Sequence, residues 1–277
     1  MVTRLEDEWF RIITGSGSID SDLGWIRLHQ RNDDVDVDIS DITDDYAVIG
    51  LWGPRARDIL QAVTDTDVSD SYFPHMTAKM IDIKGIKVLA QRVTYVGELG
   101  WELYIPATSA VFVWDRLWTA GEAFQMMACG YKAIDSLRLE KGFLAFGGDM
   151  TPLENPFEAR LGFCVDMDTG ISFTGKKALE KIQEKGTGQR LRTLGIGDAD
   201  YLTLYGGEAV VKAGKVVSRL RSAGYGYHVR QNIGYAYLPQ AFAEEGTALE
   251  IEIFGEMIAA RVMPDILYDP NGDTIRR

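Results

Sequence analysis

The sequence predicts an α+β protein that ends in a small antiparallel β domain, and two changes of pattern carry that expectation. Through residue 186, apolar runs with the two-residue period of strands are interspersed with runs of helical period. Beyond Gly186 the helical period gives way to short β-like runs at 191–196, 208–211, 215–220, 234–238 and 249–254. Turn residues separate these runs at short intervals, as in a barrel or a sandwich. The expected domains are therefore 1–186 and 187–277.

The elements follow in order. A short apolar strand at 9–13 leads through a Gly/Ser turn into an amphipathic helix carrying Leu23, Trp25, Ile26 and Leu28. Val35, Val37 and Ile39 alternate with aspartates, the period of a half-buried strand. A calcium loop counted from Asp34 fails, because Ile39 stands where glycine is needed and Asp45 where a bidentate Glu is needed. Residues 46–51 form an apolar strand, and GPRARDIL turns into a helix with Pro54 where a first turn tolerates it. Strands are expected at 78–83, 86–91 and 101–105, and helices at 109–124 and 131–141.

Composition excludes several functions. The 277 residues are 46% hydrophobic and 25% charged, enough for a sizeable core and two domains. A formal charge of −12 argues against nucleic acid, which needs clustered Lys and Arg. Arg4, Glu6, Asp7 and Glu8 interrupt any apolar leader, and no run is long enough to span a bilayer, so a cytoplasmic or organelle-matrix location is expected. Cys129 and Cys164 sit among apolar neighbours and read as buried, inert thiols. His29, His75 and His228 have no ligand spacing, so no metal is expected.

Some motifs fail on inspection. GISFTGKK, from Gly170, approaches a phosphate-binding loop but places Lys177 where Ser or Thr must hold magnesium, so it reads as a turn capping a helix at 176–184. GYGYHV and GSGSID lack the third glycine of a dinucleotide fingerprint.

The constellation that survives is YVGELGWE, from Tyr95 to Glu102, with DSLRLEKG further along. If extended, the first segment points Glu98 and Glu102 to one face and Tyr95 and Trp101 to the other, unless a bulge at Gly97 or Gly100 shifts the register. A carboxylate accepts two parallel N–H bonds and so can grip an amino-pyrimidinone edge, while an aromatic ring covers the flat face. The plainer alternative has exposed glutamates, core aromatics, and Arg138 paired with Asp135 at helical spacing. Spacing alone leans toward the plainer one.

Seven pieces running from about Tyr46 to Asn271 change that balance: GPRARDIL, YVGELGWELYIP, DSLRLEKGF, FGGDMTPLENPFEARLGF, FTGKKAL, SAGYGYHVRQNIGYAYLP and ARVMPDILYDPNG. In this order they resemble the glycine cleavage T-protein (aminomethyltransferase) family, and more closely the folate-binding C-terminal part of dimethylglycine and sarcosine dehydrogenases. The resemblance implies an aminomethyltransferase-like, three-lobed fold around a tetrahydrofolate site, followed by a small antiparallel β-barrel. It also implies that Glu102 grips the pterin, that Tyr95 lines the pocket, that Arg138 helps fix the folate, and that Glu98 and Trp101 support them.

The implied activity is transfer of a one-carbon unit from a methylated amine or aminomethyl donor to N5 and N10 of tetrahydrofolate. The family pattern includes an upstream segment with an aspartate credited to the folate amine. No residue of this chain takes that place, so the catalytic residue is unassigned and the first lobe is expected to be incomplete. The alternative is a non-catalytic folate-binding or assembly subunit of a flavoprotein demethylase. An incomplete first lobe would leave apolar surface open, which implies self-association or a partner chain.

Overall fold

A computed structural model describes residues 1–30 and 36–277, which divide into two compact units. The first comprises Met1–Thr94, Glu98–Ala128 and Asp273–Arg277, and the second Tyr95–Gly97 and Cys129–Gly272.

In the first unit, β1 (Val2–Arg4) and β2 (Phe10–Ile12) form an antiparallel ribbon, followed by α1 (Ile19–Gln30). Then come β3 (Tyr46–Trp52), α2 (Ala56–Val63), β4 (Ala78–Ile83), β5 (Ile86–Gln91), β6 (Gly100–Pro106) and α3 (Ala110–Gly121). The four strands make an antiparallel sheet in the order β3-β6-β5-β4. Gly53, at φ 133°, turns the chain from β3 toward α2, and its N–H donates to Leu99 O at 2.8 Å.

One face of this sheet is the core. Trp101, Leu103 and Ile105 alternate along β6 without exposure, joined by Val88 and Ala90 of β5 and by Ile81 and Ile83 of β4. Ile59, Leu60 and Val63 of α2, at helical spacing, and Val113 and Leu117 of α3 belong to the same cluster. The period of two therefore leaves Gly100, Glu102, Tyr104 and Pro106 on the opposite face of β6.

The expected strand around Val37 does not form. Asp33, Asp34 and Val35 lie outside the described residues, and 36–42 carries no regular structure, with Val37 exposed. Among the described residues no strand pairs with this segment, so its alternation has no sheet face to cover.

The second unit holds α4 (Tyr131–Glu140), α5 (Lys176–Lys185) and a closed barrel. The barrel strands are β7 (Gln189–Ile196), β8 (Ala209–Lys212), β9 (Lys215–Gly226), β10 (Gln231–Pro239), β11 (Ala248–Ile253) and β12 (Glu256–Met263). All neighbours are antiparallel in the order β10-β7-β12-β11-β8-β9, and closure removes the unpaired edges an open sheet would expose. Leu194, Ile196, Val210, Leu238, Ile251 and Val262 fill it. Leu139 of α4 packs with Leu191, Ile233 and Tyr235, and the Tyr235 hydroxyl donates to Leu139 O at 2.8 Å. No described helix is long and apolar enough to cross a membrane.

Candidate functional site

The non-core face of the first unit's sheet carries a polar row built by register. Gly50 of β3 and Gln91 of β5 both stand directly opposite Glu102 of β6. In the next row Val48 and Leu89 flank Tyr104 in the same way. Glu102 and Tyr104 are two residues apart on one strand, so their side chains share this face, and the Tyr104 hydroxyl donates to Glu102 Oε2 at 2.6 Å. Burial raises the Tyr104 pKa well above the usual phenol value, and the bond to Glu102 adds to the shift. The phenol therefore stays a donor, fixing one carboxylate oxygen.

Two further features surround this row. The Trp52 indole lies over Gly50, where a Cβ would stand 2.3 Å from the ring, and over Gly100, where a Cβ would stand 2.6 Å from it. Its Nε1 donates to Val93 O at 3.0 Å, which pins the ring across the sheet. From β2, the Arg11 guanidinium sits 4.6 Å from the centre of the Tyr46 ring and 5.6 Å from that of Tyr104. Arg11 is only 9% exposed, and its Nε and Nη1 have no hydrogen-bond partner among the described residues. Gln91 is 1% exposed, and among the described residues both ends of its carboxamide are unpartnered.

The glycine-punctuated segment is not one extended strand. Residues 95–99 bend before β6 begins at Gly100, and Gly97 has φ 79°. A Cβ on Gly97 would also stand 2.7 Å from the Lys141 side chain. Of the four side chains expected to alternate, only Trp101 and Glu102 do so, with Trp101 wholly in the core beside Phe73. Glu98 is half-buried in the bend. Tyr95 belongs to the second unit, where its hydroxyl donates to Leu144 O at 2.9 Å and its ring stacks on Phe143 at 6.1 Å and 9°. Burial raises the Tyr95 pKa, opposed by the Arg138 charge.

Arg138, in α4, is buried in the second unit with its donors committed. Nη1 donates to Asp149 Oδ2 at 2.5 Å and to Phe143 O at 3.3 Å, and Nη2 donates to Ser222 Oγ at 2.7 Å. The expected pairing with Asp135 is present but long, at 3.4 Å. Burial is the largest influence and works against the guanidinium charge, but the Asp149 charge and hydrogen bond together with Tyr95 and Tyr235 raise the pKa on balance. Asp149 is fully buried and also accepts from Ala145 N at 2.8 Å and Ser222 N at 3.1 Å.

The expectation of buried thiols is overturned, since Cys129 and Cys164 are both exposed. Cys129 lies in a stretch without regular structure and Cys164 in a short 3₁₀ turn, where apolar neighbours mark no buried face. The phosphate-loop look-alike is a helix-capping turn: Gly175 precedes α5 at φ 95°, and Lys176 Nζ donates to Thr169 O at 2.6 Å. Sequence reasoning passed over Tyr104, Trp52, Gln91, Arg11 and Asp149. Strand alternation pointed to Tyr104, but the others depend on register or tertiary contact.

Comparison with known proteins places this geometry. The GCVT N-terminal domain family matches residues 1–169, and the glycine cleavage T-protein C-terminal barrel domain matches 189–269. The chain is 36% identical over 270 residues to the mitochondrial dimethylglycine dehydrogenase of Rattus norvegicus, covering 97% of this chain and 31% of that protein. It thus spans about a third of that relative's length. It is 30% identical over 270 residues to an aminomethyltransferase of Symbiobacterium thermophilum, covering 97% of this chain and 72% of the relative. The solved aminomethyltransferase T of the Bartonella henselae glycine cleavage system superposes with a TM-score of 0.80 at 24% identity, over 96% of this chain and 71% of that one.

Proposed function

Because the chain belongs to the glycine cleavage T-protein family, we propose that it binds tetrahydrofolate at the sheet face around Glu102 and serves one-carbon transfer, aminomethyl or methyl, from a methylated amine or aminomethyl donor. The observation that carries this reading is the Glu102 carboxylate, fixed by Tyr104 at 2.6 Å and standing where the family motif places its pterin grip. The residues fit a flat, polar heterocycle: a carboxylate accepts paired N–H donors, and an aromatic ring lies beside it over a bare glycine. Tetrahydrofolate supplies the amine nitrogen that accepts the one-carbon unit. Glu102 would hold its amino-pyrimidinone edge, and the protein's work is positioning and exclusion of water.

Tyr95 is assigned as a lining residue and Arg138 as its organiser. The guanidinium reaches Phe143 O, and Phe143 and the adjoining Leu144 are what Tyr95 touches. Glu98 and Trp101 support the site, Trp101 from within the core. The direct test is calorimetric titration of the chain with tetrahydrofolate, and absence of binding overturns the reading. Tyr104→Phe frees Glu102 Oε2, and we expect about fivefold weaker folate binding in the same titration, the worth of one ordinary hydrogen bond.

A second reading rests on the 36% identity to a dimethylglycine dehydrogenase. Here the chain is a folate-binding or assembly subunit of a flavoprotein demethylase, and folate binding without one-carbon transfer from dimethylglycine or aminomethyl donors favours it. Either reading goes with a partner surface, because Val2, Trp9, Phe10 and Ile12 on and beside the β1–β2 ribbon are all exposed. Light scattering is expected to show self-association as concentration rises, and a monomer at every concentration overturns it.

A further inference from the structure

We propose that Gln91 is a ligand-binding residue, contacting with its carboxamide the same heterocycle that Glu102 grips. The proposal rests on the folate reading of the sheet face and extends it to a residue outside the YVGELGWE motif. Three observations support it. Gln91 stands directly opposite Glu102 in the β5–β6 register, which puts both side chains on one face with Cβ atoms about 5 Å apart. A ring held edge-on by the carboxylate thus presents its adjoining polar atoms to the carboxamide.

The carboxamide is also unfinished. Gln91 is 1% exposed, yet among the described residues neither Nε2 nor Oε1 has a hydrogen-bond partner. Buried polar groups in folded proteins are almost always paired, and an amide left orphaned at both ends points to a partner that arrives with a ligand. The amide also carries a donor and an acceptor, which suits a pyrimidinone edge where carbonyl oxygen and ring nitrogens alternate.

The surroundings reserve the place. Gly50 stands on the other side of Glu102 in the same row, and the Trp52 indole lies over it. Trp52 reaches across the sheet to Val93 O, just beyond the end of β5, and so bounds the row of Gly50, Glu102 and Gln91 along one side. A merely structural glutamine would be expected to bond a neighbour, whereas Asn232 of the barrel, equally buried, gives its amide to Ile196 O, Asp198 O and Asp200 O.

The test titrates tetrahydrofolate into the full chain and into Gln91→Leu, with Gln91→Met as a second variant of similar length, and records the ligand-free Tm of each. An apolar side chain of similar shape relieves the orphaned amide, so both variants are expected to keep or raise the Tm. Both are expected to bind folate about tenfold more weakly. A merely structural role would not weaken binding in a variant whose Tm is intact. Wild-type binding with unchanged affinity in both variants overturns the role of Gln91 and leaves the folate reading standing. Absence of binding by the wild type overturns both.

Discussion

Glu102→Ala is expected to weaken tetrahydrofolate binding by between ten- and a hundredfold in calorimetric titration. The figure follows from the loss of charge-assisted hydrogen bonds, worth about 1.5–3 kcal/mol, at about 1.4 kcal/mol per tenfold. The substitution also strands the Tyr104 hydroxyl, whose partner is Glu102 Oε2 at 2.6 Å, on a side chain that is mostly buried. A fall in stability would therefore accompany the loss of affinity and blur its meaning. Glu102→Gln separates the two, because its amide oxygen still accepts from Tyr104 while the negative charge is gone. It is expected to hold its Tm close to wild type and still bind at least tenfold more weakly. Glu98→Ala is the comparison: Glu98 is assigned a supporting role only, from the 95–99 bend rather than from β6, and affinity is expected to fall by no more than about threefold. Equal losses from both glutamates would overturn the assignment of the grip to Glu102.

That distinction shows what the sequence could and could not convey. Strand alternation located β4 and β5 to the residue and nearly located β6, because apolar side chains at every second position bury against one layer of helices. It misjudged the 95–99 bend, where the left-handed Gly97 is packed against Lys141, a residue more than forty positions away. It also misjudged 36–42, whose period is that of a strand but which, among the described residues, has no neighbouring strand to pair with. Glu102 and Tyr104 were legible as one face of one strand. Gln91 and Trp52 were not, since their relation to Glu102 exists only once β3, β6 and β5 are in register. Arg138 stood out as a charge in a helix motif, but what it does locally depends on Asp149 and Ser222, which no spacing rule connects to it.

Arg138→Ala is expected to cost about 3–5 kcal/mol of stability, the largest single-residue effect we foresee. Asp149 is wholly buried, and the guanidinium at 2.5 Å is the cation that compensates it. With Arg138 removed, the carboxylate keeps only the N–H groups of Ala145 and Ser222, too little to replace a full charge for a fully buried carboxylate. The same substitution releases Phe143 O and Ser222 Oγ, which loosens the stretch that holds Tyr95. Because whole domains are stable by only about 5–15 kcal/mol, urea unfolding should move to much lower concentration. A loss below about 1 kcal/mol would overturn the account of this pair. Removing both charges, as Arg138→Met with Asp149→Leu, is expected to recover much of the loss, since an apolar pair of similar volume leaves no stranded charge. That double variant carries the information about folate. If it folds and binds as the wild type does, Arg138 serves the fold alone, whereas weakened binding at restored stability assigns the guanidinium to organising Tyr95 for the ligand.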